Sequence, residues 1–110
     1  MRITYRQAAQ TDLIRQFRYY LVILESPRIA LRFRDAVKLT AKTLGRQPNI
    51  ATPCRLRNHR LQSLRCWPVH GFEAIRLYFL VEDGAMRVIR ILHGKQDVRG
   101  ILERENLSEG

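Results

Sequence analysis

The stretch that most constrains the fold is residues 73–93, EAIRLYFLVEDGAMRVIRILH, in which two β-branched and aromatic runs meet at Asp83-Gly84. Such a dipeptide tolerates the left-handed backbone that a two-residue hairpin turn requires, so strands are predicted over 73–82 and 85–93. With a two-residue turn, Glu82 faces Ala85, and the pairing continues as Phe79 opposite Val88, Leu77 opposite Arg90 and Ile75 opposite Leu92. That mostly apolar face is expected to receive helices. The opposite face then carries Arg76, Tyr78 and Arg87, with His93 opposite Ala74. A single inserted residue would exchange the two faces, so the side on which Arg90 lies depends on the register holding to the end.

The remainder of the chain supplies what such a hairpin packs against. Residues 2–6 alternate as a short strand. From about 8 to 25, Leu13, Phe17, Tyr20, Leu21 and Leu24 recur at helical spacing, with Asp12 near the start, where a carboxylate complements the helix dipole. Ser26-Pro27 is an N-cap followed by a proline at the first helical position, and Ala30, Phe33, Val37, Ala41 and Leu44 share one face of the helix they open. Gly45 is expected to stop that helix before Pro48. Almost no linker separates the two helices, which predicts an antiparallel helix hairpin. Residues 46–60 read as a polar loop that ends in a short strand, LQSLRCW as a third strand of the sheet, and 97–105 as a final helix with Ile101 and Leu102 inward. The last residues are expected to fray. The fold class is therefore α+β: an N-terminal strand, a helix hairpin on a small, mainly antiparallel sheet, and a short C-terminal helix, in one domain over 1–110.

The chain carries a formal charge of +10, with 17 arginines against 3 lysines. A field of that sign attracts polyanions or acidic proteins, and the guanidinium fork favours two-point recognition of carboxylate or phosphate. Cys54 and Cys66 do not make a disulfide framework and have no zinc-ligand spacing, so both are read as reduced thiols, with no metal and no cofactor. The N-terminus lacks a signal-peptide core, and the longest apolar run, YYLVIL, is too short to span a bilayer. The expected location is the cytoplasm, with no membrane partner.

Several residues together carry a family likeness. They are Asp12-Leu13 early in the first helix, Pro27, Ala30 and Phe33 opening the second, and Leu44 with Pro48 at its exit. Downstream, LRCWPVHGF, Tyr78 and RILHGKQD follow in order. In these motifs, over roughly residues 3–102, the chain resembles the ParE/RelE superfamily of toxin–antitoxin systems, and the ParE branch in particular. The resemblance implies a small basic toxin held inactive by an acidic cognate antitoxin whose extended segment wraps it. ParE-type toxins poison DNA gyrase by binding, whereas RelE-type toxins act at the ribosome and cut mRNA. One fold thus serves two activities, and a domesticated member that only binds a partner is a third reading.

If the chain were a ribonuclease, base, acid and phosphorane-stabilising roles would fall to Arg65, Arg76, Arg90, His93 and Lys95. The segment ILERENLSEG lacks the tyrosine or histidine that RelE-branch nucleases often carry near the end. His93, just before Gly94, reads more simply as a hydrogen-bonding partner of the turn, and Asp97 as the cap of the final helix. Trp67 and Phe72 read as packing residues. The partner-binding expectation is a basic groove on the sheet formed by Arg65, Arg76, Arg87 and Arg90. Were Arg90 to point inward, it would need a carboxylate such as Asp97 or Glu73.

Overall fold

A computed structural model describes residues 1–107. Strand β1 (Arg2–Tyr5) leads into helix α1 (Gln7–Arg18), which continues as a wider π-helical turn over Tyr19–Ile23. Helix α2 (Pro27–Arg46) returns antiparallel to it. Strands β2 (Thr52–Pro53), β3 (Arg65–Val69), β4 (Phe72–Glu82) and β5 (Ala85–His93) follow, and helix α3 (Val98–Glu103) closes the described chain. The sheet order is β1-β5-β4-β3-β2, with β1 parallel to β5 and every other pair antiparallel. The α+β architecture expected from the sequence is the one observed. The expectation of terminal fraying concerns residues beyond 107 and lies outside the described part.

Local chemistry accounts for most boundaries. Ser26 caps α2 by accepting the Ile29 amide at 3.2 Å, with Pro27 at the first helical position. Asp83 and Gly84 both have positive φ, 51° and 73°, as a type I′ turn demands. Gly45 does not stop α2. It is buried within the last turn, where a Cβ would lie 3.4 Å from Ile3 Cδ1, so its smallness serves the close approach of β1. The helix ends instead at Gln47, ahead of Pro48. Of LQSLRCW, only Arg65, Cys66 and Trp67 are strand, because His59–Leu61 forms a 3₁₀ turn.

The hairpin register holds as expected from Glu82–Ala85 to Phe79–Val88, then slips. Tyr78 faces Arg90, Leu77 faces Ile91 and Ile75 faces His93, because Ile89 is an extra residue bulged out of β5. The expected pairs Leu77–Arg90, Ile75–Leu92 and Ala74–His93 are therefore corrected by one position. A bulge reverses the alternation beyond it, so Arg90 moves to the face of Arg76, Tyr78 and Arg87, and Ile91 takes its place under the helices.

Both faces of the sheet are covered. On one, Phe33, Val37, Ala41 and Leu44 of α2 pack on Val69, Leu77, Phe79 and Val88, with Tyr20, Phe33 and Phe72 in mutual ring contact at 5.4–5.6 Å between centroids. On the other, Leu102 of α3 and Leu61 and Leu64 of the segment before β3 cover Cys66, Tyr78, Leu80, Ile89 and Leu92. Trp67 and Phe72 serve packing, as expected. The sequence pattern misplaces one group: Leu21 and Leu24, expected inward, lie on the surface together with Tyr19, Val22 and Ile23. The wider π-helical turn begins at Tyr19, so the spacing of α1 does not carry through to them.

Phe33 is completely buried at the centre of the aromatic contacts. Phe33→Ala is expected to cost about 3–5 kcal/mol, read from the urea midpoint of unfolding.

Candidate functional site

The most highly organised charged cluster is built around Asp12. Its side chain is almost completely buried and accepts Arg90 Nε at 2.7 Å, Arg90 Nη2 at 2.9 Å, Arg15 Nη2 at 2.8 Å and the Ile91 amide at 2.9 Å. The last contact follows from the topology. Strand β1 pairs with β5 only as far as Val88, where the Arg6 amide still donates to the Val88 carbonyl, and beyond that point the outer edge of β5 has no strand partner among the described residues. The Asp12 carboxylate takes the exposed amide there, so a helix side chain continues the edge. Arg90 also pairs with Glu105, whose second oxygen accepts Arg6 Nη1 at 2.6 Å, while Arg6 Nη2 donates to the Asn106 carbonyl at 2.8 Å.

Arg90 thus ties α1, on one face of the sheet, to the segment after α3, on the other. Its two carboxylates hold its pKa above the ordinary arginine value, the hydrogen bonds it donates to Asp12 contributing most and burial opposing. The expected acids Asp97 and Glu73 are not its partners: Asp97 caps α3 by accepting the Gly100 amide, and Glu73 accepts the Gly71 amide. Nor does Asp12 act at a helix start. It sits in the middle of α1 and pairs with a strand.

The other basic candidates are distributed over both faces. Arg65 lies opposite Phe79 and donates to the Ala51 carbonyl at 2.9 Å, on the side of the helix hairpin. Arg76 and Arg87 are on the opposite face, Arg76 exposed and 3.8 Å from Cys66 Sγ, Arg87 half-buried across from Leu80. The structure brings Arg76, Arg87 and Arg90 to one face and leaves Arg65 on the other. That shared face carries the second core instead of lying open as a groove.

His93 Nδ1 accepts the Lys95 amide at 3.0 Å, and the His93 amide donates to Gln96 Oε1 at 2.8 Å, so the imidazole organises the turn after β5. This turn walls a cleft of about 410 Å³ lined by Asp12, Gln16, Tyr19, Tyr20, His93 and Lys95. On the opposite side, both oxygens of Glu103 accept backbone amides, from Arg57 at 3.0 Å and Asn58 at 2.8 Å, and pin the 55–61 loop to α3. These contacts, led by the Arg57 amide, hold the Glu103 carboxyl below its ordinary value.

The sequence reading missed Arg6, Glu103 and Glu105, and gave Asp12 the wrong task. A signal for Asp12 was present: with Ala9 and Leu13 it lies on the inward stripe of α1, where an acid requires a buried cation. No comparable signal marks Glu105, whose partners are 99 and 15 residues away.

With the geometry in place, comparison with known proteins decides the family. The profile described as "ParE toxin of type II toxin-antitoxin system, parDE" matches residues 3–98. The chain belongs to the ParE toxin family. A solved structure entitled "Chromosomal ParDE TA system from P. aeruginosa" is similar, with a TM-score of 0.69, 19% identity, and coverage of 84% of this chain and 95% of that one. No curated protein sequence matches. The ParE match ends at residue 98, so Glu105, which completes the Arg90 clamp, lies beyond it. Membership in a ParDE-type system implies an antitoxin partner. Among the described residues no helix is long and apolar enough to cross a membrane.

Removing Asp12 would leave Arg90 facing Glu105 alone and orphan the Ile91 amide. Asp12→Ala is therefore expected to destabilise the protein by about 3–5 kcal/mol. Asp97→Asn, at an exposed cap that asparagine fills equally well, should change stability by less than about 0.5 kcal/mol. Parallel denaturant titrations of the two variants measure the contrast.

Proposed function

We propose that this ParE-family toxin inhibits DNA gyrase by binding it, without catalysis of its own, and is neutralised by an acidic cognate antitoxin. The gyrase target follows from membership in the ParE family, and the observation that favours a protein partner is the exposed apolar run at the tip of the helix hairpin. Val22 and Ile23 are 63% and 66% exposed, flanked by Tyr19, Leu21 and Leu24. A contiguous apolar surface of this kind suits a protein partner better than a small substrate or a phosphate chain. A toxin stored in complex has its antitoxin as standing partner, and we assign this tip to the antitoxin. The formal charge of +10 favours an acidic one.

The arrangement of the ribonuclease candidates weighs in the same direction. His93 is engaged with its own turn, Arg90 with two carboxylates, and Arg65 faces away from Arg76, so of the five candidates only His93 and Lys95 share a cleft.

Expression of the chain alone in a bacterial host, with DNA damage response, supercoiling and message integrity followed together, tests the activity. Early damage signalling with intact messages is expected, and rapid translation-dependent message cleavage would overturn the proposal. His93→Asn, which keeps an acceptor for the Lys95 amide, should leave growth inhibition unchanged. Ile23→Glu should retain the melting temperature of the parent and bind the antitoxin at least about tenfold more weakly, a loss near 1.4 kcal/mol by titration calorimetry.

A further inference from the structure

The two cysteines, twelve positions apart in sequence, are neighbours in space. Strand β2 pairs Thr52 with Cys66 and Pro53 with Arg65, and the chain continues in the same ladder as the Cys54 amide donates to the Leu64 carbonyl at 2.8 Å. Cys54 is therefore diagonal to Cys66 across adjacent strands, and both side chains belong to the core beneath α3. The ladder and the shared core bring the two side chains near one another at the β2 edge of the sheet. Cys66 Sγ also lies 3.8 Å from the Arg76 guanidinium, on the neighbouring strand. Tyr78, directly across from Cys66, completes the ionisable surroundings.

We propose that Cys66 and Cys54 form a peroxide-sensitive dithiol, in which Cys66 is the attacking thiolate and Cys54 the resolving thiol, and oxidation closes an intramolecular disulfide. Three features of the site support this assignment of roles. Hydrogen bonding with the Cys54 thiol and then the positive charge of Arg76, 3.8 Å from Cys66 Sγ, bring the Cys66 pKa down to about 6 against the opposing effect of burial. Cys54 moves in the other direction, raised first by that same hydrogen bond and then by burial. The half-buried Cys54 lies just past a two-residue edge strand, which gives a small oxidant a way in to a Cys66 that is itself 8% exposed.

The chemistry balances with a hydroperoxide as the oxidant. A Cys66 sulfur lone pair attacks the distal peroxide oxygen, the S–O bond forms as the O–O bond breaks, and the departing oxyanion takes a proton from solvent. Cys66 is now a sulfenic acid. The Cys54 sulfur attacks the Cys66 sulfur, and the leaving hydroxide departs as water with the Cys54 proton. The peroxide is reduced by two electrons and the dithiol oxidised by two. The resulting bond closes the chain around the segment bearing Arg55, Arg57 and Arg60, independently of which target the toxin binds.

The test treats the purified full-length chain with hydrogen peroxide under native conditions, blocks remaining thiols, and reads intact mass and peptide maps, with circular dichroism confirming the fold. A mass lower by two hydrogens, restored by dithiothreitol and mapping to Cys54–Cys66 within one chain, is expected. In Cys54→Ser a sulfenic acid at Cys66 should be trapped by dimedone. The pH at which Cys66 alkylation half-rises, about 6 in the parent, should move upward in Arg76→Gln, which removes an exposed side chain and should not disturb folding. Persistence of two free thiols in folded protein, disulfides only between chains, or dimedone trapping at Cys54 in Cys66→Ser as fast as at Cys66 would each overturn the proposal.

Discussion

The structure depends on one buried carboxylate. Removing Asp12 from water would cost several kcal/mol without compensation, and the compensation comes from the two-point fork of Arg90, the Ile91 amide and Arg15. Each donor is available because of a feature elsewhere. The bulge at Ile89 turns Arg90 away from the helix-covered face, and the short reach of β1 leaves the Ile91 amide open at the edge. With Glu105 on its far side, Arg90 becomes the point where the layer on one face of the sheet is joined to the layer on the other.

This arrangement explains why a strand of the central hairpin carries cations. Arg87 and Arg90 interrupt an apolar run without leaving uncompensated charge in the core, since one rests at the margin of the second core and the other is matched by two acids. The same second core requires α3 and the 55–61 loop to stay in place, and the Glu103 carboxylate holds that loop by its backbone amides. Most of the remaining arginines are left at the surface, where they give the chain its field toward acidic partners.

Surface and core thus divide the work expected of a ParE-family toxin. The helix hairpin buries its aromatic centre against the sheet and exposes an apolar tip. The Arg90 clamp fixes the C-terminal segment, and the thiol pair lies toward the β2 edge of the sheet, opposite the β1 edge.

Element types and the hairpin turn were legible in the sequence because they rest on local rules: alternation over 73–82 and 85–93, left-handed backbone at Asp83-Gly84, and the Ser26-Pro27 helix start. The family likeness was legible too, from ordered motifs along the chain. The bulge at Ile89 was not, since nothing in RVIRIL distinguishes a regular strand from one with an extra residue, and that one-residue slip decided which way Arg90 faces. The clamp partners of Arg90 and the meeting of Cys54 with Cys66 were decided only by tertiary structure. Contacts between residues 99, 78 or 12 positions apart depend on how strands and helices are stacked. Periodicity reports which side of an element is buried, but not which charge waits there.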